Sequence, residues 1–151
     1  MRVLVTGGTG FIGRNLLPVL SEEHEIIALT RSDPGPEQAG VSWIEQDLSR
    51  PLDASVLPNS VDAVVHLAQS KRYREFPEGA ADMFSINVES TFSLLEYARA
   101  AGASHFLFAS TGGVYGSGED ALSEGDRLNP LNFTTELPRE RTLAVSLQFN
   151  F

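Results

Sequence analysis

The stretch Val3-Leu4-Val5-Thr6-Gly7-Gly8-Thr9-Gly10-Phe11-Ile12-Gly13-Arg14 decides the fold. A short apolar run ends at a glycine-rich turn, and a helical pattern begins at once. In such a turn Gly7 permits the tight reversal. Gly10 lets the backbone approach a pyrophosphate, and Gly13 permits close helix packing. The helix start, with Phe11 and Ile12 in its first turn, offers free N–H groups and the positive end of the dipole. A phosphate loop of the nucleotide-triphosphatase type has the same Gly8-to-Gly13 separation. It would continue with Lys and Ser/Thr, however, and here Arg14-Asn15 follow. A dinucleotide turn fits; a triphosphate loop does not.

Working outward, short apolar runs alternate with helical patterns, which predicts β-α units and a parallel sheet. Strands are expected at Arg2–Val5, Glu25–Leu29, Val41–Glu45, Val61–Leu67 and His105–Ala109. The first helix spans Phe11–Leu20, with Ile12, Leu16, Leu17 and Leu20 on one face and Pro18 as a kink or local exception. A long helix, Ala80–Ala101, repeats Phe84, Val88, Phe92 and Leu95 at core spacing and stops at Gly102. Trp43 also reads as core. Ser117–Asn132 is polar and turn-rich, and a last amphipathic stretch runs from Glu136 to Leu147. The pattern predicts one α/β domain, a doubly wound parallel sheet of about five strands.

Composition bounds the partners. The 151 residues are 42% apolar and 21% charged, with 11 basic against 20 acidic side chains and a net charge of −9. That field argues against nucleic acid as a partner, and the densest basic run, Lys71-Arg72-Tyr73-Arg74, is closely followed by Glu75 and Glu78. Cysteine is absent, which removes disulfides, thiol nucleophiles and thiolate-bound metal. His66 and His105 fall in buried strand patterns and His24 in a polar loop, a spacing that suggests no metal site. No run is long enough for a membrane span or signal core, so the expectation is a soluble, cytoplasmic protein.

With the spacing G-G-x-G-x-x-G in place, residues 1–130 resemble an extended short-chain dehydrogenase/reductase of the NAD-dependent epimerase/dehydratase group. The resemblance implies a Rossmann fold and roles for further motifs in order. Asp47-Leu48 is similar to the acidic pair that contacts adenine. Val64-Val65-His66-Leu67-Ala68 is similar to the fourth-strand motif lining the cofactor, and Lys71 to a position reaching its ribose or phosphates. Asn87 matches the asparagine of the long helix. Ala109-Ser110-Thr111-Gly112-Gly113-Val114-Tyr115-Gly116 resembles the active-site strand end, with Thr111 in the place of the catalytic Ser/Thr and Ser110 beside the cofactor. A homodimer through the long helix and the one after it is also implied.

Placement supports these roles, because ligands of open α/β sheets sit beyond the carboxyl ends of strands. Gly7, Arg31, Asp47, Ala68 and Thr111 all fall there. Taken singly, Asp47 also suits a turn cap, Asn87 an exposed helix amide, and Ser110 or Thr111 a bond to local backbone. An NAD site places Asp or Glu at the end of the second strand, whereas this chain reads Thr30-Arg31-Ser32. Arg31 and Arg14 suit a 2′-phosphate, so NADP is the expected cofactor, with NAD as the alternative.

The resemblance breaks after Phe133. The implied chemistry needs a Tyr-x-x-x-Lys pair, in which the lysine lowers the tyrosine pKa so that the phenolate removes a hydroxyl proton. The tyrosines are Tyr73, Tyr97 and Tyr115, followed four residues on by Pro77, Ala101 and Glu119, and the sole lysine is Lys71. Within Asn129–Arg141 one register offers Thr134 and Pro138, another Asn132 and Glu136. Neither is a phenolate with a cation. The expectation is a single 1–151 NAD(P)-binding domain, truncated or frame-shifted, with its substrate lobe absent, an exposed sheet edge and little or no turnover. Two functional readings follow: a fragment of an epimerase/dehydratase-type oxidoreductase related to nucleotide sugars, or a non-catalytic NADP(H)-binding sensor or regulatory module.

Overall fold

The computed structural model describes residues 1–110 and 146–150, the latter segment as backbone. Five strands run parallel: β1 Arg2–Thr6, β2 Glu25–Thr30, β3 Val41–Glu45, β4 Ala63–His66 and β5 His105–Ala109. A sixth, β6 Ser146–Asn150, pairs antiparallel with β5, and the sheet order is β3-β2-β1-β4-β5-β6. The doubly wound parallel sheet is therefore present, within a strand-end residue or two of the sequence reading. Two details differ. β6 lies along β5, so among the described residues β5 is paired on both sides and β6 is the outer strand. The amphipathic stretch projected through Leu147 gives way to strand at Ser146 and Leu147.

Helix α1 is Phe11–Leu20. The long helix begins as α2 Ala80–Phe84, passes through a π turn at Ser85–Glu89 and continues as α3 Ser90–Ala100. Alternate strand residues feed two cores, one on each sheet face. Val3, Val5, Ile26, Ala28, Ala63 and Val65 pack under Leu17 of α1. Leu4, Ile27, Leu29, Val64 and Phe106 pack under Leu94, Tyr97 and Ala98 of α3. Burial on both faces explains why β1, β2 and β4 are almost uninterruptedly apolar.

Pro18 stays inside α1 on its exposed side, so the missing N–H leaves a carbonyl to water rather than to the core. Gly102 ends α3 with φ +76°, and the amide of Ala103 bonds back to the Ala98 carbonyl at 2.9 Å, as a helix stop at that glycine requires. The apolar faces read from the helices need correction. Ile12 is 40% exposed, and Phe84, Val88 and Phe92 are 55%, 52% and 65% exposed. The long helix buries Ile86, Ser90, Leu94, Tyr97 and Ala98 instead. It carries two apolar stripes, and the one with Leu94, Tyr97 and Ala98 packs into the core.

Candidate functional site

The order β2-β1-β4 puts the chain reversal of the sheet at the carboxyl ends of β1 and β4, where crevices open in α/β folds. The glycine turn occupies that point. Gly7 has φ +71°, and a Cβ on it would lie 2.7 Å from the Ala68 nitrogen and the Leu67 carbonyl carbon. A Cβ on Gly13 would come within 2.5 Å of the Gly7 oxygen and of Gly8. The Gly10 amide closes the turn on the Gly7 carbonyl at 2.9 Å. Gly13 thus allows the helix to sit against the turn itself rather than against a strand. Gly10 begins α1 with no side-chain cap and no acid in the first turn, leaving the amides of Phe11, Ile12 and Gly13 to an outside acceptor. Such a start can receive a phosphate oxygen. Phe11 is 88% exposed beside it, and Arg14 is exposed one turn on.

The opposite wall is Leu67–Ser70, the backbone that leaves β4. It is fixed at both ends. The Leu67 amide bonds the Thr6 carbonyl at 3.2 Å, and the Ala68 amide bonds Thr6 Oγ1 at 3.2 Å. The Ser70 amide bonds Asn87 Oδ1 at 2.9 Å, and Ser70 Oγ donates to Asp82. The π turn carries Asn87, which serves as a loop anchor and not as a free helix amide. Lys71 follows on an exposed turn, Lys71–Arg74, capped by Ser70. In that turn Arg72 pairs with Glu75 at 2.6 Å.

The ends of β2 and β3 form the third side. Thr30 is buried, and its hydroxyl donates to the Ser32 carbonyl at 2.6 Å, so it shapes the turn, in which Arg31 is exposed. Asp47 Oδ1 accepts from the Ser49 amide and hydroxyl, each at 2.9 Å. The bond from the Ser49 amide is the main cause that holds its carboxyl below the usual carboxylate value; burial opposes it, and the Ser49 hydroxyl and the charges of Arg31 and Arg50 lower it further. The turn-capping role of Asp47 is thus real, and its second oxygen takes no part in it. Leu48 points into the core at 8% exposure, so only its backbone can face the crevice.

Ser110 follows β5, partly buried, at the same end of the sheet. Thr111, Tyr115 and the Asn129–Arg141 region lie outside the described residues. Gly7, Gly10, Gly13, Ala68 and Asn87 therefore converge on one crevice, with Arg31 and Asp47 at the next strand ends. Sequence reading passed over Thr6, Ser70, Asp82 and Thr91, the polar side chains that fix the wall. Thr6 could have been found: it directly precedes Gly7 and is a polar residue closing an apolar strand.

Comparison with known proteins agrees with this architecture. The model of the NAD dependent epimerase/dehydratase family matches residues 3–137. A 3-beta-hydroxysteroid dehydrogenase of Mycolicibacterium neoaurum is 30% identical over 141 residues, covering 85% of this chain and 37% of that protein. A UDP-glucose 4-epimerase of Klebsiella pneumoniae is 32% identical over 129 residues, covering 77% of this chain and 93% of that sequence. Among solved structures, a mutant UDP-glucuronic acid 4-epimerase from Bacillus cereus, in complex with a UDP-sugar and NAD, superposes with a TM-score of 0.70 at 26% identity, over 87% of this chain and 46% of that one. The chain thus spans less than half the length of the steroid dehydrogenase and of the Bacillus epimerase. The glycine turn, the wall after β4 and the match over residues 3–137 together place this chain in the NAD dependent epimerase/dehydratase family.

Proposed function

We propose that this chain is the dinucleotide-binding part of an epimerase/dehydratase-type oxidoreductase acting on a nucleotide sugar, and that it binds NADP(H) in preference to NAD(H). The observation that carries the reading is the backbone fit at Gly7, where a side chain would strike the Leu67–Ala68 wall. Turn and wall are in contact there, which holds the uncapped first turn of α1 at the sheet end, where its free amides suit a pyrophosphate. Bound there, the nicotinamide would supply hydride exchange with a hydroxyl or keto carbon. The chain's own residues would hold it: the amides of Phe11, Ile12 and Gly13 at the pyrophosphate, Lys71 at the ribose or phosphates, and Asp47 with the Leu48 backbone at the adenine. Arg31 and Arg14 would take the 2′-phosphate. Leu67, Ala68, Asn87 and Ser110 would line the path to the nicotinamide, and Thr111 would hydrogen-bond the reacting oxygen.

Nucleotide-sugar enzymes among the relatives support the substrate class, and the steroid dehydrogenase among them makes a hydrophobic alcohol the competing class. The 151 residues contain no Tyr-x-x-x-Lys, which favours a second reading: cofactor binding without turnover, as in a sensor or regulatory module. The homodimer belongs to the same proposal, with Phe84, Val88 and Phe92 exposed along the long helix to meet a second copy. Calorimetry with NADPH and NADH, paired with turnover assays on UDP-glucose, separates the readings. Tighter NADPH binding without turnover is the expected outcome for these residues. Tighter NADH binding would overturn the NADP preference, and steady turnover would overturn the non-catalytic reading.

A further inference from the structure

His66 closes β4 with no exposed surface, and four hydrogen bonds around it determine where its proton sits. Its Nδ1 lies 2.6 Å from Thr6 Oγ1, and its Nε2 lies 3.0 Å from Thr91 Oγ1. The Thr91 hydroxyl donates to the Asn87 carbonyl at 2.9 Å, which uses its only proton. Nε2 must therefore be the donor. In a neutral ring Nδ1 is then the acceptor, and it takes the proton of Thr6, whose oxygen in turn accepts from the Ala68 amide. Every donor has one acceptor, and the chain of bonds runs from Ala68 through Thr6, His66 and Thr91 to Asn87. It closes on the wall itself, because Asn87 Oδ1 accepts from the Ser70 amide.

We propose that His66 is a positioning residue: in its neutral Nε2–H tautomer it locks the Leu67–Ser70 wall of the cradle to the π turn of the long helix. The lock fixes the width of the crevice opposite Gly7 and ties dinucleotide binding to the conformation of Ser85–Glu89. The inference rests on reading the crevice as a dinucleotide site. Asn87, in the π turn, and Thr91, one turn later at the start of α3, are four residues apart and so share one face of the helix. Nothing charged faces the ring among its described partners. Those are Thr6 from β1, Thr91 from α3, and Phe106 and Phe108 from β5, whose ring centroids lie 6.4 and 5.5 Å away. Burial alone pushes the imidazole pKa down to about 4, so the ring is neutral at pH 7.

The test is a long-range ¹⁵N–¹H NMR spectrum of the full chain at pH 7, followed by NADPH calorimetry and amide exchange on Thr91→Val, Thr91→Ser and His66→Phe. The spectrum should show a neutral His66 protonated on Nε2. Val at 91 and Phe at 66 should each weaken NADPH about tenfold and speed exchange at Ala68 and Ser70, and Ser at 91 should restore both. A ring protonated on Nδ1, or doubly protonated, overturns the proposal. So do unchanged affinity and exchange in Thr91→Val, which carries the test if His66→Phe does not fold. Wild-type chain that has the expected tautomer and exchange pattern but binds no dinucleotide would leave the lock standing and remove the proposed function.

Discussion

At the residue scale, the positions that matter are those where a single atom decides. Gly7→Ala would force a Cβ to within 2.7 Å of backbone in the wall, at a positive φ. Neither atom can rotate away, so the substitution should cost about 1–3 kcal/mol of stability and abolish NADPH binding. Thermal unfolding with and without NADPH reads both effects. His66 makes the pH dependence. Its folded value of about 4 lies below the ~6.5 of an unfolded imidazole, so the unfolded chain takes up the proton first. Stability is then highest above pH 6.5 and falls as the pH drops toward 4, by up to roughly 3 kcal/mol from this group. Urea unfolding at a series of pH values should show that slope, and His66→Phe should remove it. The glycines were legible in the sequence because their function is encoded in local spacing. The part played by His66 was not, because its partners Thr6 and Thr91 lie 60 and 25 residues away.

At the element scale, the strands were legible and the phase of the long helix was not. Continuous apolar runs at β1, β2 and β4 specify burial on both faces without reference to any partner. The helix carries two apolar stripes, and periodicity does not rank them. Phe84, Val88 and Phe92 are exposed, while Ile86, Ser90, Leu94, Tyr97 and Ala98 are buried. Leu94→Ala should therefore cost about 2–5 kcal/mol. Phe92→Ala should change the stability of a monomer by less than about 0.5 kcal/mol. Denaturant titration of the two variants measures the difference, and the reverse order would contradict the observed helix phase. The pairing of β6 with β5 was hidden for another reason: an edge strand is chosen by what it pairs with, and its sequence after Phe133 follows no pattern that the resemblance supplies.

At the scale of the whole molecule, the strand order brings residues from β1, β2, β3, β4 and the long helix to one end of the sheet. The crevice itself was legible, since strand ends and glycine spacing locate it; the polar circuit that sets its width was not. Cofactor choice belongs to this scale, because Arg31 follows β2, Arg14 lies on α1 and the chain carries a net charge of −9. Arg31→Ala should lower NADPH affinity about tenfold and leave NADH nearly unchanged, as loss of a charge-assisted phosphate contact requires. Equal losses for both cofactors would place Arg31 away from the 2′-position.

The central claim is that the dinucleotide lies against the Gly7–Gly13 turn, and the protein carries its own probe for it. Trp43 is the only tryptophan, and its ring lies 3.0 Å from where a Cβ of Gly8 would stand. Titration with NADPH, followed by tryptophan emission and by nicotinamide emission excited through the tryptophan, measures binding and location at once. Quenching with sensitised nicotinamide emission, saturating at one dinucleotide per chain and lost in Gly7→Ala, is the predicted result. An unchanged tryptophan spectrum, or the same transfer in Gly7→Ala, would contradict it.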